Sequence, residues 1–358
     1  MASNNIIVWP VSLILFLFSL LSFSEASLVP AMYVFGDSLV DVGNNNFLRN
    51  SNLKANFPHN GIDFPTKQPT GRFGNGRNAA DLLAEIVGLS YAPPYLSTLK
   101  QTQKDFLTGM NFGSGGSGIL NQTNHNISLS LTKQVDYFLA MNKVLKQQLG
   151  SGANQHYSKS LFIIITGSND IFVYFGSEDL RNKSTPLQYV NFMAATFKGQ
   201  MKRLYDNGAR KFVIVGIGLI GCIPSVRNKD NTEQCNKDLN HLANKYNEGL
   251  RSILNNLKLE LKDINYSYFD GYSVMNNFIQ KPATYGFGEV KSACCGLGKL
   301  KADGPCLPSA TYCSNRSNHV FWDGSHPTEA AHRILVNYMF NGPLQYTFPM
   351  NINQLIAA

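Results

Sequence analysis

Apolar residues along this chain fall into two rhythms. Short continuous runs at 31–35 (AMYVF), 161–166 (LFIIIT) and 211–215 (KFVIV) end at glycine or polar clusters, as strands buried on both faces do. Residues 266–269 read as a further strand, and 105–112 as a weaker one. Between them apolar positions recur every three or four residues, the period of a helix. One such stripe is Leu131, Val135, Phe138, Val144, Leu145 and Leu149, closed by Gly150. Another runs through Val190, Met193, Phe197, Met201 and Leu204, opened by Ser184-Thr185-Pro186 and stopped at Asn207-Gly208. A third carries Leu239, Leu242, Tyr246, Leu250, Leu254, Leu257 and Leu261. Residues 78–87 predict a helix capped by Asn78, and Pro327 opens a last one through Tyr338. Strands alternating with helices predict an α/β fold, a parallel sheet covered on both faces. Ligands on such sheets lie beyond the carboxyl ends of the strands. Three turns therefore share one rim: Gly36-Asp37-Ser38, residues 113–118, and Gly167-Ser168-Asn169-Asp170.

Composition narrows the class. With 44% hydrophobic and 15% charged residues, the chain has material for a large core and is no disordered polymer. The net charge of +8 is spread without a polybasic run, so nothing points to nucleic acid. No Ser- or Pro-rich linker divides residues 27–358, which read as a single domain. Residues 6–21 (IIVWPVSLILFLFSLL) followed by Ser24-Glu25-Ala26 have the apolar stretch and small-x-small site of a signal peptide, 1–26, removed on secretion. No later stretch approaches the length a membrane span needs. Sequons at Asn121, Asn126, Asn182, Asn265 and Asn315 suit a secreted glycoprotein. Cys222, Cys235, Cys294, Cys295, Cys306 and Cys313 are an even set without C-x-x-C spacing, which favours disulfides over a metal site. Cys222 and Cys235 close a short loop. Of the 15 possible connectivities, the favoured one adds nested pairs, Cys294–Cys313 and Cys295–Cys306.

The rim turns carry complementary chemistry. Ser38 follows a buried strand, with Gly36 permitting a tight turn. The run NFGSGGSGI (111–119) offers backbone N–H groups with few side chains in the way, and Asn169 offers an amide donor. A serine nucleophile needs a base, and His326 in Asp323-Gly324-Ser325-His326-Pro327 stands out. An aspartate three residues ahead can curl back to the imidazole Nδ1 and fix its tautomer, leaving Nε2 to face Ser38.

FGDSLVDVGNNN (35–46), GRFGNGR (71–77), NFGSGGSGI, GSND (167–170) and FWDGSHPTEAA (321–331) together resemble the plant GDSL esterase/lipase family of SGNH hydrolases. The resemblance also covers residues 268–287 and the CCG at 294–296. It implies a flavodoxin-like, three-layer fold with a central five-stranded parallel sheet. It implies Ser38 as nucleophile, Asp323 and His326 completing the triad, and an oxyanion hole from the Ser38 N–H, a glycine N–H and Asn169. Gly116 aligns with the family glycine, and Gly115 stays open. Gly113 replaces the usual alanine of the second motif, and Leu219-Ile220-Gly221-Cys222 stands where PLGC is usual. No metal or organic cofactor is implied. The substrate would be a lipid-type or other acyl ester, and the location the cell wall or apoplast.

Rival readings remain in view. The same acyl-enzyme would serve an extracellular acyltransferase, and a non-catalytic wall-binding protein could keep the scaffold. Gly113-x-Gly115-x-x-Gly118 with Asp136 also fits a dinucleotide fingerprint. Asp37 and Asp170 read as turn-holding carboxylates. Asn44-Asn45-Asn46 reads as a turn bonding its own backbone. His319 reads as peripheral, and His59, His125, His156, His241 and His332 as surface or packed residues.

Overall fold

The computed structural model describes residues 27–99 and 106–358. The expected signal peptide lies outside them, as does Asp105 at the head of the weaker strand. Five strands run parallel: β1 (Met32–Gly36), β2 (Gly109–Asn111), β3 (Leu161–Ile165), β4 (Lys211–Val215) and β5 (Asn265–Phe269). Their spatial order is β2-β1-β3-β4-β5. One correction is needed: the sheet has six strands, because β6 (Thr347–Phe348) pairs antiparallel with β5. Two residues are too few to show any alternation in the sequence, yet they cover an otherwise open edge. The weaker strand shrinks to the three residues of β2, at the opposite edge.

Eight helices matter here: α1 (Ala79–Ile86), α2 (Leu131–Leu149), α3 (Ser168–Gly176), α4 (Pro186–Asp206), α5 (Lys237–Glu260), α6 (Gly271–Gln280), α7 (Glu329–Asn341) and α8 (Ile352–Ala357). Period-two alternation in the strands splits the interior into two cores. Tyr33 and Phe35 join Phe162, Ile164 and Phe212 under the apolar stripes of α2, α4 and α5. Met32 and Val34 point the other way, joining Leu161, Ile163 and Val213 under α1, α6, α7 and α8. Burial on both faces is why these strands read as unbroken apolar runs.

The helix starts obey side-chain chemistry. Thr185 and Gln188 form a reciprocal capping box ahead of Pro186 in α4, and Asn78 caps α1. The helix expected to be the last is followed by α8, and as α7 it begins at Glu329, not Pro327. The Thr328 hydroxyl caps it by accepting the Ala331 N–H at 3.1 Å, while Pro327 bridges Phe321 in the extended segment before it.

All six cysteines pair: Cys222 with Cys235, Cys294 with Cys313, and Cys295 with Cys306. Such bridges typically contribute about 2–4 kcal/mol each. The second and third pairs pack on the buried Trp322. They hold two small sheets, Glu289–Ala293 with His319–Phe321 and Cys295–Gly296 with Thr311–Tyr312. Asp323 follows Trp322 directly, so this stapled region aims the last polar turn.

Strand order reverses between β1 and β3, since the chain steps outward from β1 to β2 and returns to β3. Connections leaving the two strands diverge to opposite faces and open a crevice at their carboxyl ends. Gly36 and Ile165 are register partners at that point.

Candidate active site

Ser38 stands at the apex of a turn whose approach is tightly held. Gly36 has φ +147°, and a Cβ there would lie 2.0 Å from the Ile165 carbonyl oxygen, so β1 meets β3 closely only as glycine. The Asp37 N–H donates to that carbonyl at 3.1 Å, and the Asp37 carbonyl accepts the Val40 and Asp41 N–H groups. Gln134, buried on α2, clamps the Gly36 peptide from the other side. The Gly36 N–H donates to its Oε1 at 2.8 Å, and its Nε2 donates to the Gly36 carbonyl at 2.8 Å. Among the described residues the Ser38 N–H meets no acceptor.

The glycine-rich loop is tied to this turn by buried side chains. Asp41 accepts the Gly43 and Asn44 N–H groups at 2.7 Å each and that of Gly115 at 2.9 Å. Asn44 donates to the carbonyls of Asn111 and Gly113, and Asn45 to those of Leu53 and Gly115. The asparagine run does bond backbone, but backbone far along the chain. Gly115 thus spends its N–H on Asp41. Gly116 finds no acceptor for its N–H among the described residues and lines the crevice. The loop does not open a helix, α2 starting only at Leu131, and Asp136 pairs with Arg203 at 2.6 Å. A dinucleotide site needs a helix N-terminus at that loop, so this reading fails.

Asn169 lies in the first turn of α3. Its Nδ2 donates one hydrogen to the Ser117 carbonyl at 2.9 Å, and among the described residues the second amide hydrogen is unused. Asp170 beside it is fully buried and accepts the Ile119 and Leu120 N–H groups and the Thr123 hydroxyl at 2.8, 3.0 and 2.6 Å. Burial pushes Asp170 and Asp41 each up to about 6, with these donors limiting the rise. Asp37 is pushed up to about 7 by burial, though it accepts the Leu39 N–H and feels His326. All three carboxylates hold turns.

The third component arrives from the stapled region. His326 Nε2 is 2.9 Å from Ser38 Oγ, and its Nδ1 is 2.8 Å from both Asp323 oxygens. Asp323 also accepts the Ser325 and His326 N–H groups at 2.8 and 2.9 Å. For Asp323, burial works against ionisation, but the His326 partner and these N–H groups outweigh it and lower its pKa. For His326, burial works downward, and Asp323 with a smaller push from Asp37 raises it above the ordinary histidine value. Phe73 packs on the imidazole, ring centroids 5.2 Å apart. The 71–77 loop is in turn locked to α7: Asn75 Oδ1 accepts the Glu329 N–H at 2.9 Å, and Glu329 accepts the Arg77 N–H at 2.7 Å. A hydroxyl, imidazole and carboxylate in this relay can activate an oxygen nucleophile.

These groups open on a cavity of about 450 Å³ lined by Ser38, Gly116, Asn169 and His326 together. Its size suits a small organic ligand. His319 is not there; its Nδ1 bonds the Asn315 carbonyl and Asn318 side chain. Sequon residues Asn121, Asn126, Asn182 and Asn315 are exposed, whereas Asn265 is half-buried on β5 and accepts from Lys258 Nζ at 2.7 Å. Sequence reasoning missed Gln134. Its one signal was a polar residue beside Val135 on the buried stripe of α2.

Comparison with known proteins covers the same span. A family model described as GDSL-like Lipase/Acylhydrolase matches residues 32–339, from β1 into α7. One Arabidopsis thaliana GDSL esterase/lipase is 49% identical over 92% of this chain and 90% of its own length. Two others from that plant are 41% identical over 91% of this chain and 90% of theirs, and 37% over 91% and 92%. Agreement this extensive, reaching through every turn that meets at the crevice, means that the chain belongs to the plant GDSL esterase/lipase family.

Proposed function

We propose that this protein is a secreted serine esterase that hydrolyses carboxylic acyl esters through an acyl-Ser38 intermediate. The relay carries the reading: Ser38 Oγ at 2.9 Å from His326 Nε2, with Asp323 at 2.8 Å behind it. His326 takes the Ser38 proton as Oγ attacks the ester carbonyl, and Asp323 stabilises the imidazolium. The Ser38 and Gly116 N–H groups and the free Asn169 amide hydrogen receive the oxyanion. His326 then protonates the departing alcohol. In the second half water attacks the acyl-serine, the same imidazole takes its proton, and the free acid leaves.

The relatives' name, esterase/lipase, supports the ester class. Paired cysteines and exposed sequons support the secreted address. Among the described residues no helix is long and apolar enough to cross a membrane.

A fluorophosphonate tests the assignment. It is expected to label the protein once, at Ser38, and Ser38→Ala to remove the label. Stoichiometric labelling of another serine would overturn it.

A further inference from the structure

The hydrogen bonds of the His326 ring hold it at two points. Asp323 meets Nδ1 with both carboxylate oxygens at 2.8 Å, and Nε2 lies 2.9 Å from Ser38 Oγ. Both contacts lie along one line through the imidazole. Small rocking of the ring plane about that line changes either contact little, so these bonds do not by themselves fix the plane. Phe73 meets the ring from another direction. The two ring centroids are 5.2 Å apart and the planes 36° apart. Rings set edge to edge in one plane cannot come so close, so the faces meet obliquely, within the range where an aromatic face attracts a cation.

Phe73 is itself placed from outside. Arg72, just before it, donates from Nε and Nη2 to the two Asp81 oxygens at 2.7 Å each, and both side chains are buried. Just after it, the Gly74 carbonyl accepts the Gly61 N–H at 2.9 Å, and Asn75 Nδ2 donates to Asp63 at 2.8 Å. The tip of the ring fills the place of a side chain at residue 115: a Cβ on Gly115 would lie 2.4 Å from Phe73 Cζ. Glycine there leaves room for the ring, so Phe73 spans the gap between the glycine-rich loop and His326 while lining the cavity.

The titratable groups that act on His326 among the described residues are Asp323 on its own turn, Asp37 after β1 and His332 on α7. Phe73 adds no charge to this set. Its electron-rich face nonetheless favours the imidazolium over the neutral ring.

We infer that Phe73 is a positioning residue for the base: its ring holds the plane of the His326 imidazole and stabilises the imidazolium formed as Ser38 gives up its proton. This deepens the acyl-Ser38 reading and rests on it. The test pairs Phe73→Leu, which keeps apolar cover but removes the ring, with replacement of Phe73 by 3,5-difluorophenylalanine, which keeps the shape and draws electron density from the face. With p-nitrophenyl acetate, Phe73→Leu is expected to lower kcat about tenfold, the scale of one desolvated contact of this kind, with KM changed by less than about twofold. Because the imidazolium loses support, the acid limb of kcat/KM should move to lower pH. The difluoro protein should shift both in the same direction by less. Wild-type kcat and an unmoved limb in both proteins would overturn the inference. So would a loss confined to KM, the mark of a cavity wall, or a slow Phe73→Leu beside a difluoro protein identical to the wild type, the mark of packing alone. If circular dichroism shows that Phe73→Leu does not fold, the difluoro protein decides alone. Fluorophosphonate labelling of the wild type separates the two readings. If Ser38 is labelled and both altered proteins match the wild type, the esterase stands and the inference falls; if Ser38 is not labelled, both fall.

Discussion

The side of this site that carries the proposed nucleophile, Ser38, and the side that carries the proposed base, His326, are built in opposite ways. Ser38, Gly116 and Asn169 sit on turns held by side chains from distant parts of the chain. Gln134 reaches the Gly36 peptide, Asp41 and Asn45 reach Gly115, and Asp170 reaches Ile119 and Leu120. His326 is held by its own neighbour, Asp323, three residues away. That local turn is then mounted on disulfide-stapled backbone and on α7 through Thr328. The contrast has a physical origin. Positioning unpaired N–H groups requires loops with few side chains of their own, and such loops need outside anchors. An imidazole carries its donor and acceptor on the ring, so one carboxylate suffices to orient it.

The largest expected effect lies on the base side. Asp323→Asn should lower kcat by about 10⁴ because the imidazole loses its tautomer and its counter-charge. The same change should move the acid limb of the kcat/KM profile. His326 must be neutral to accept a proton, and Asp323 raises its pKa, so the acid limb of wild-type activity is expected higher than an ordinary histidine would place it. Without Asp323 that limb should shift to lower pH. A limb that stays in place would show that another group sets it.

On the nucleophile side, Asn169→Asp replaces an amide donor with a negative acceptor where negative charge develops. It should lower kcat by about 10² to 10³ with little change in KM, and be at least as damaging as Asn169→Ala. Near wild-type kcat with an intact circular dichroism spectrum would make Asn169 structural.

Two stability measurements then compare the anchors. Gln134→Leu strands the buried Gly36 N–H, while the Gly36 carbonyl keeps the Ser114 N–H, and should cost about 2–3 kcal/mol in urea unfolding. Thr328→Ala removes one helix cap together with the hydroxyl's bond to the His319 carbonyl and should cost about 1–2 kcal/mol. The reverse order would mean that the base side, not the nucleophile side, depends more on side-chain anchoring.

The same contrast explains what was legible in the sequence. Asp323 and His326 announce themselves because three residues of spacing suffice to bring them together. Ser38 and Asn169 follow buried apolar runs that mark strand ends, and parallel pairing aligns those ends on one rim. The anchors leave no such trace. Gln134 looks like an interruption in an apolar stripe, and Asn44 and Asn45 look like an ordinary turn until the loop they reach is in place. Gly115 and Gly116 both stay open in the sequence, and the fold distinguishes them, with Asp41 occupying the Gly115 N–H while Gly116 lines the crevice. β6 escapes notice because its two residues show no period. Local chemistry is readable along the chain, whereas hydrogen bonds across it depend on the fold.

The most direct test of the account is to catch the acyl group on the enzyme. Acid quench of the reaction with an activated p-nitrophenyl ester, followed by peptide mass mapping, should show one acyl equivalent on the peptide containing Ser38, arising together with a burst of p-nitrophenol. His326→Ala should abolish the burst. Steady turnover with no acyl adduct, or an adduct on a different serine, would contradict it.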